Sequence, residues 1–284
     1  MITRRNFLKT TAMTAIGTAV LPKALKAAMP AKPDIGIQLY TVRDELQKDF
    51  KGTLRSLKRI GYSWLEAAGY EDGKFYGLEP VEFKKIVDGM GMKVISSHAM
   101  FNADQQKKAI AAHVALGVEY LVFPGFPVAE HKTRDDFMAA AARLNALGEA
   151  CNKAGIKFGY HNHDFEFVRF DDTTGYDILV RSTDKKKVIF EADIYWMTYA
   201  GKDPLNYFNM YPGRFELWHV KDMKNTPDKG FTEVGAGIIP YKEYFQYQGL
   251  AGMKYFFVEQ DECEIDPVES AAISFENLEQ ILTK

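Results

Sequence analysis

The chain has 284 residues, with 36 Lys and Arg against 38 Asp and Glu and a formal net charge of −2. That balance, with no basic block or basic helix, argues against nucleic acid as a main partner. The length fits two domains of ordinary size or one barrel of ~250 residues. Cys151 and Cys263 lie far apart without paired-ligand spacing, and both read as packing residues.

The N-terminal stretch TRRNFLKTTAMTAIGTAVLPKALKAAMPAKP pairs Arg4 with Arg5, then runs through a weakly apolar segment to Leu21 and small residues near Ala27 and Ala28. It resembles a twin-arginine export signal. The apolar run is too short to span a bilayer and is interrupted by Gly17 and four threonines. Residues 1–28 are therefore expected to be a signal peptide and linker, with the twin-arginine translocase as a partner during export and the periplasm as the destination. No clean small-x-small triplet fixes the cleavage point. Such substrates cross the membrane folded, so a metal could be loaded before export.

From Pro33 to Lys284 one unit recurs: a short apolar strand, a polar turn, and a stretch of helical spacing that tends to close on Gly. In chain order the expected strands are DIGIQLYT, YSWLEAAG, KVISSHAM, EYLVFPG, IKFGYHNHD, VIFEADIYW, FELWHVKD and YFFVEQDE. Among the intervening helices are KDFKGTLRSLKRIG, LEPVEFKKIVDGMG and RDDFMAAAARLNALGEACNKAG, with Gly61, Gly91 and Gly155 as stops. Eight such units with no second pattern imply a parallel sheet closed into a single-domain (β/α)8 TIM barrel spanning 33–284. An open doubly wound sheet is the alternative; it is disfavoured because QLYTVRDEL, not a Gly-x-Gly-x-x-Gly turn, follows the first strand.

A barrel places chemistry where strands end and βα loops begin. The polar interruptions fall there: Tyr40, Glu66, His98, His161 and His163, Asp193, His219 and Lys221, then Glu259. A strand buried on both faces should otherwise read as continuous Val, Ile and Leu. A lone histidine in such a strand is usually a core residue bonded to a carbonyl. Here Asp193, His219 and Glu259 occupy equivalent places on three later strands, so four neighbouring strands offer N, O, N and O ligands suited to Mn²⁺, Zn²⁺, Co²⁺ or Mg²⁺. Residues two apart share a strand face, which puts His161 and His163 on one side.

The segments IGIQLYTVRDE, YHNHDFEF, EADIYWMTYAG, LWHVKDM and VEQDE resemble the sugar phosphate isomerase/epimerase group of xylose isomerase-like TIM barrels, related to inosose dehydratases and ketose 3-epimerases. In those epimerases Glu, Asp, His and Glu from strands five to eight hold the metal, and the two glutamates also move the proton. Asp193, His219 and Glu259 match the last three positions. Tyr160-His161-Asn162 stands where the first Glu is expected, so the resemblance implies an imidazole ligand and no symmetric two-glutamate shuttle. His161 is then a metal ligand, with a role as base left open, and His163 is the acid/base or a residue behind the ligands. Glu259 is both ligand and catalytic carboxylate.

The resemblance implies a metal acting as a Lewis acid on a sugar's carbonyl and hydroxyl oxygens, so that loss of a neighbouring proton gives an enediolate. Epimerisation, isomerisation or elimination can follow, and the sequence does not choose among them. Sugar isomerase/epimerase is the first expectation, with keto-glycoside lyase or inosose-type dehydratase as the close alternative. An exported protein with no arginine cluster at its strand ends is expected to take a neutral carbohydrate. Lys221 is expected to supply positive charge or a proton, or simply to pair with Asp222. Tyr40, Glu66, His98, Glu166 and Trp196 are candidate substrate contacts; Glu66 and His98 could instead bond each other within the barrel. The EVGAGIIPY loop reads as structural and DKKK as a solvated turn. Endonuclease IV shares the superfamily but needs more zinc ligands and a DNA-binding surface. A noncatalytic carbohydrate-binding barrel is the rival of another class. Homo-oligomerisation is left open.

Overall fold

The computed structural model describes residues 34–126 and 132–283; the expected export signal lies outside them. Eight parallel strands close into a barrel. They are β1 (Gly36–Gln38), β2 (Trp64–Ala67), β3 (Lys93–His98), β4 (Tyr120–Phe123), β5 (Lys157–His161), β6 (Val188–Asp193), β7 (Leu217–Val220) and β8 (Tyr255–Val258), and β1 pairs with β8 to complete the circle. All eight expected strands are present, each shorter than its apolar run suggested. The excess after β1 becomes a 3-10 turn over Leu39–Val42, and the excess after β6 becomes the helix Ile194–Tyr199.

Alternation along each strand divides the residues between two environments. Phe158 and Tyr160 of β5, Phe190 and Ala192 of β6, Trp218 and Val220 of β7, and Phe256 and Val258 of β8 join the apolar layer between sheet and helices. There Trp218 stacks on Phe208 with ring centroids 4.8 Å apart. The opposite faces point inward. Ile95, Tyr120, Val122, Ile189, Leu217 and Phe257 form a dry plug inside the barrel. Two residues further along β6, β7 and β8 the same inward face carries Glu191, His219 and Glu259, so the apolar plug becomes a polar floor under the C-terminal mouth. Gly36 is required on β1: a Cβ there would come within 2.5 Å of the Phe257 ring and 2.7 Å of a backbone oxygen.

The helices begin and end on the expected chemistry. Asp49 caps Phe50–Ile60 by accepting from the Gly52 amide, and Gly61 closes that helix at φ +133°. Thr133 and Asp136 form a capping box on Arg134–Lys153, which ends before Gly155. Among the described residues no helix is long and apolar enough to cross a membrane.

Candidate metal centre

Strands β5 to β8 bring His161, Asp193, His219 and Glu259 together, each offering one ligand atom within 4.8 Å of the others. All four are buried. His161 Nε2 lies 3.1 Å from Asp193 Oδ2, and His219 Nδ1 lies 2.6 Å from Glu259 Oε2 and 3.8 Å from Asp193 Oδ2. The other carboxylate oxygen of Asp193 accepts from the Trp196 amide, and Asn162 clamps the Asp193 backbone with its side-chain amide. Asp193 is thus fixed both by the helix it caps and by the neighbouring strand.

His219 is oriented from below. Its Nε2 makes a 2.5 Å hydrogen bond with Glu66 Oε2, whose carboxylate also accepts from Gln38 Nε2 at 2.9 Å and Ser96 Oγ at 2.5 Å. In the singly protonated ring that a metal requires, Nε2–H stays with Glu66 and the Nδ1 lone pair faces Glu259 and Asp193. His161 Nδ1, His219 Nδ1 and Glu259 Oε2 are buried without a hydrogen-bond partner, although Glu259 stands at contact distance from His219 and Lys221. Buried polar atoms left in this state are unusual. Two imidazoles and two carboxylates converge here, paired only with one another and with Lys221, and such a donor set fits a divalent ion.

The electrostatics follow from concentrated carboxylates. Burial works against protonation of His219, but Glu191, Glu259 and Glu66 overcome it and hold its pKa well above the usual imidazole range. Metal binding must therefore expel a proton from this site. Burial likewise opposes the charge on Lys221, yet its Nζ, 3.0 Å from Asp193, 2.8 Å from Glu259 and 2.9 Å from Asp261, stays protonated well beyond the usual lysine range. Its partner is not Asp222. Burial disfavours the Glu259 carboxylate, but Lys221 and His219 keep it ionised.

His163 lies beyond the end of β5, so strand alternation is not what places it beside His161. A turn brings the two rings edge to face at 4.9 Å. Its Nδ1 is buried without a partner, and burial followed by Lys221 pushes its pKa down to about 4. The ring lies between Phe165 and Trp196, and Trp196 also faces Lys221 Nζ at 5.8 Å.

Other candidates are placed differently from expectation. Glu66 is saturated by protein donors and serves as a brace rather than a hydroxyl binder. His98 contacts Glu66 only at 3.4 Å; its close partner, at 2.6 Å, is Glu191. Glu166 does not fold over the ligands: it is buried against Tyr160, on the outward face of β5, and accepts from Tyr160 OH and the His163 amide. Tyr40 is 43% exposed in the turn after β1, under the Arg43 guanidinium. Cys151 is buried as expected, whereas Cys263 is half-buried at the mouth. Glu191 and Asp261 escaped the sequence reading, although each stands two residues from a chosen ligand, Asp193 and Glu259 respectively. The period of two applied to β6 alone would have found Glu191, whose carboxyl burial pushes up to about 7. Asp222 accepts from the amides of Met223, Gly235, Gly237 and Ile239, which makes EVGAGIIPY the structural loop expected.

A closed parallel barrel with metal-type side chains on four consecutive strand ends has the architecture of a TIM-barrel enzyme with its site at the C-terminal mouth. Residues 54–272 match the xylose isomerase-like TIM barrel family, and the chain belongs to it. It is 26% identical over 270 residues to an inosose dehydratase of Lacticaseibacillus casei, covering 80% of this chain and 88% of that one. A sugar phosphate isomerase/epimerase from Parabacteroides distasonis superimposes with a TM-score of 0.78 at 28% identity, covering 91% of this chain and 98% of the other. The zinc-bound IolI protein shares the fold at a TM-score of 0.71 and 13% identity, covering 88% of this chain and 98% of that one.

Proposed function

We propose that the chain is a divalent-metal-dependent enzyme that enolises a neutral keto-sugar or inosose and completes the reaction by β-elimination. His161, Asp193, His219 and Glu259 hold the ion, which when bound supplies Lewis acidity to the substrate's oxygens. The observation that carries the reading is the inequality of the two groups able to move a proton: His163 is neutral with a free Nδ1, while Glu259 is an anion pinned by Lys221 and His219. His163 takes the proton beside the carbonyl and, as imidazolium, returns it to the departing oxygen. Lys221 keeps its own proton and acts as a fixed positive charge facing the oxyanion. Trp196 and Phe165 confine the imidazole.

The inosose dehydratase relatives support elimination. Isomerisation or epimerisation is the second reading, favoured by the likeness to the Parabacteroides structure. A neutral substrate agrees with the export expected from Arg4-Arg5 and with a centre whose cations are already paired to carboxylates. The test is incubation of metal-loaded protein in D₂O with neutral ketoses, inososes and 3-keto-glycosides, followed by NMR. Deuterium beside the carbonyl together with released water or aglycone is expected. Turnover of phosphorylated sugars alone would overturn the neutral substrate, and product formation without elimination would favour the second reading.

A further inference from the structure

Beside the ligand strands lies a cleft of about 400 Å³, walled by the segments that follow β6, β7 and β8. The first wall, from the helix Ile194–Tyr199, presents Trp196 and Tyr199; the second, the hairpin closed by Asp222–Met223 and Phe231–Thr232, presents Phe231. All three rings are half-buried. Phe231 is backed by the fully packed Tyr195 at 4.4 Å in a near-parallel stack, which holds it rigidly. The rim carries Asp228, Glu262 and Glu264 against Lys224, which pairs with Glu264, and Lys229, whose Nζ lies 5.0 Å from the centroid of the Tyr199 ring.

Trp196 joins this cleft to the centre, since its ring also faces Lys221 Nζ and His163. Asp261, hydrogen-bonded to Lys221, directly precedes Glu262 of the rim. A molecule held at the metal centre therefore has the cleft as its neighbour. Rigid aromatic faces accept the C–H face of a ring, and exposed carboxylates accept hydroxyl hydrogens. An acidic excess repels phosphates and carboxylates. The volume falls within the range of small-molecule sites.

We propose that this cleft is a second-ring subsite, so that the substrate is a neutral glycoside whose second sugar or aryl ring sits on Trp196, Tyr199 and Phe231 while the keto-ring sits at the centre. This rests on the reading above for the identity of the first ring only. The subsite is tested without turnover, on full-length protein stripped of metal, by following the fluorescence of Trp196; Trp218 is buried and Trp64 belongs to the opposite end of the barrel. Cellobiose and phenyl β-glucoside are expected to bind about tenfold more tightly than methyl β-glucoside, one aromatic contact's worth. Tyr199→Ala and, with less risk to folding, Phe231→Leu should each reduce that preference and leave methyl β-glucoside binding unchanged. Equal affinity for one-ring and two-ring probes, or a preference that survives both substitutions, overturns the subsite. A two-ring preference without deuterium exchange in any keto-sugar supports the subsite and rejects enolisation. Exchange with single-ring ketoses but no two-ring preference rejects the subsite and leaves enolisation standing.

Discussion

Replacing Glu66 by Gln keeps the volume and removes the charge that orients His219. Glu66 Oε2 receives His219 Nε2–H at 2.5 Å and Gln38 at 2.9 Å, while Oε1 receives Ser96. An amide in that place has one acceptor oxygen for these three donors, and its own NH₂ must face at least one of them. His219 then loses its anionic partner, and with it the preference for presenting Nδ1 to Asp193 and Glu259. Loss of such a bracing group typically lowers metal affinity about 10- to 100-fold, or ~1.4–2.7 kcal/mol. Titration of the stripped protein with Co²⁺ against a competing chelator reads the affinity, and the visible absorption of bound Co²⁺ reads the ligand geometry. The variant should bind within that range of weakening and show an altered spectrum, and its thermal unfolding should shift down, because a buried donor facing the new NH₂ is left unpaired at a cost of about 1–3 kcal/mol. Wild-type affinity with an unchanged spectrum would refute the role of Glu66 and the choice of Nδ1 as the ligand atom.

His219→Ala and Asp193→Ala should each abolish stoichiometric metal while the barrel stays folded, since both lie above the apolar plug; elemental analysis with circular dichroism checks this. Burial raises the folded-state pKa of Glu166 to about 8, so the folded chain keeps a proton that the unfolded chain loses near its ordinary ~4.3. That contribution is whole below the lower value and lost as pH rises toward the upper one. Glu166→Gln should therefore lose less stability than wild type between about pH 5 and 8, by up to a few kcal/mol, and parallel urea profiles would contradict this. Changing Arg4-Arg5 to Lys-Lys should hold the folded protein inside the cell. Fractionation tests this, and export that persists in a strain without the twin-arginine translocase would count against the signal.

Strand number and order could be read from the sequence because each buried strand is a short apolar run and each Gly stop marks a helix end. The clustering of His161, Asp193, His219 and Glu259 could be read for a related reason: a charged or imidazole residue at the end of an apolar strand has few structural uses. What the sequence could not supply was the vertical layering inside the barrel. Glu191 and Glu66 belong to different strands and meet only because closure brings β2 opposite β6 and β7. Glu166 misled because the 3-10 turn Phe165–Phe167 carries its carboxylate back to Tyr160 OH and the His163 amide, a contact that residue type and spacing do not reveal. Lys221 next to Asp222 in sequence suggested a local pair, yet alternation sends the first into the barrel and the second into the loop amides.

The Asp222 carboxylate gathers four backbone amides from a loop that returns to it as much as seventeen residues later. The base of the hairpin is therefore fastened independently of its tip. Lys224 to Gly230 can accept substitution or insertion without disturbing the register of β7 or the position of His219, since a longer excursion between fixed ends adds little closure entropy. Diversity in that segment would fall on the cleft wall alone, which makes it the natural stretch to randomise when a barrel of this kind is to be given a different partner ring.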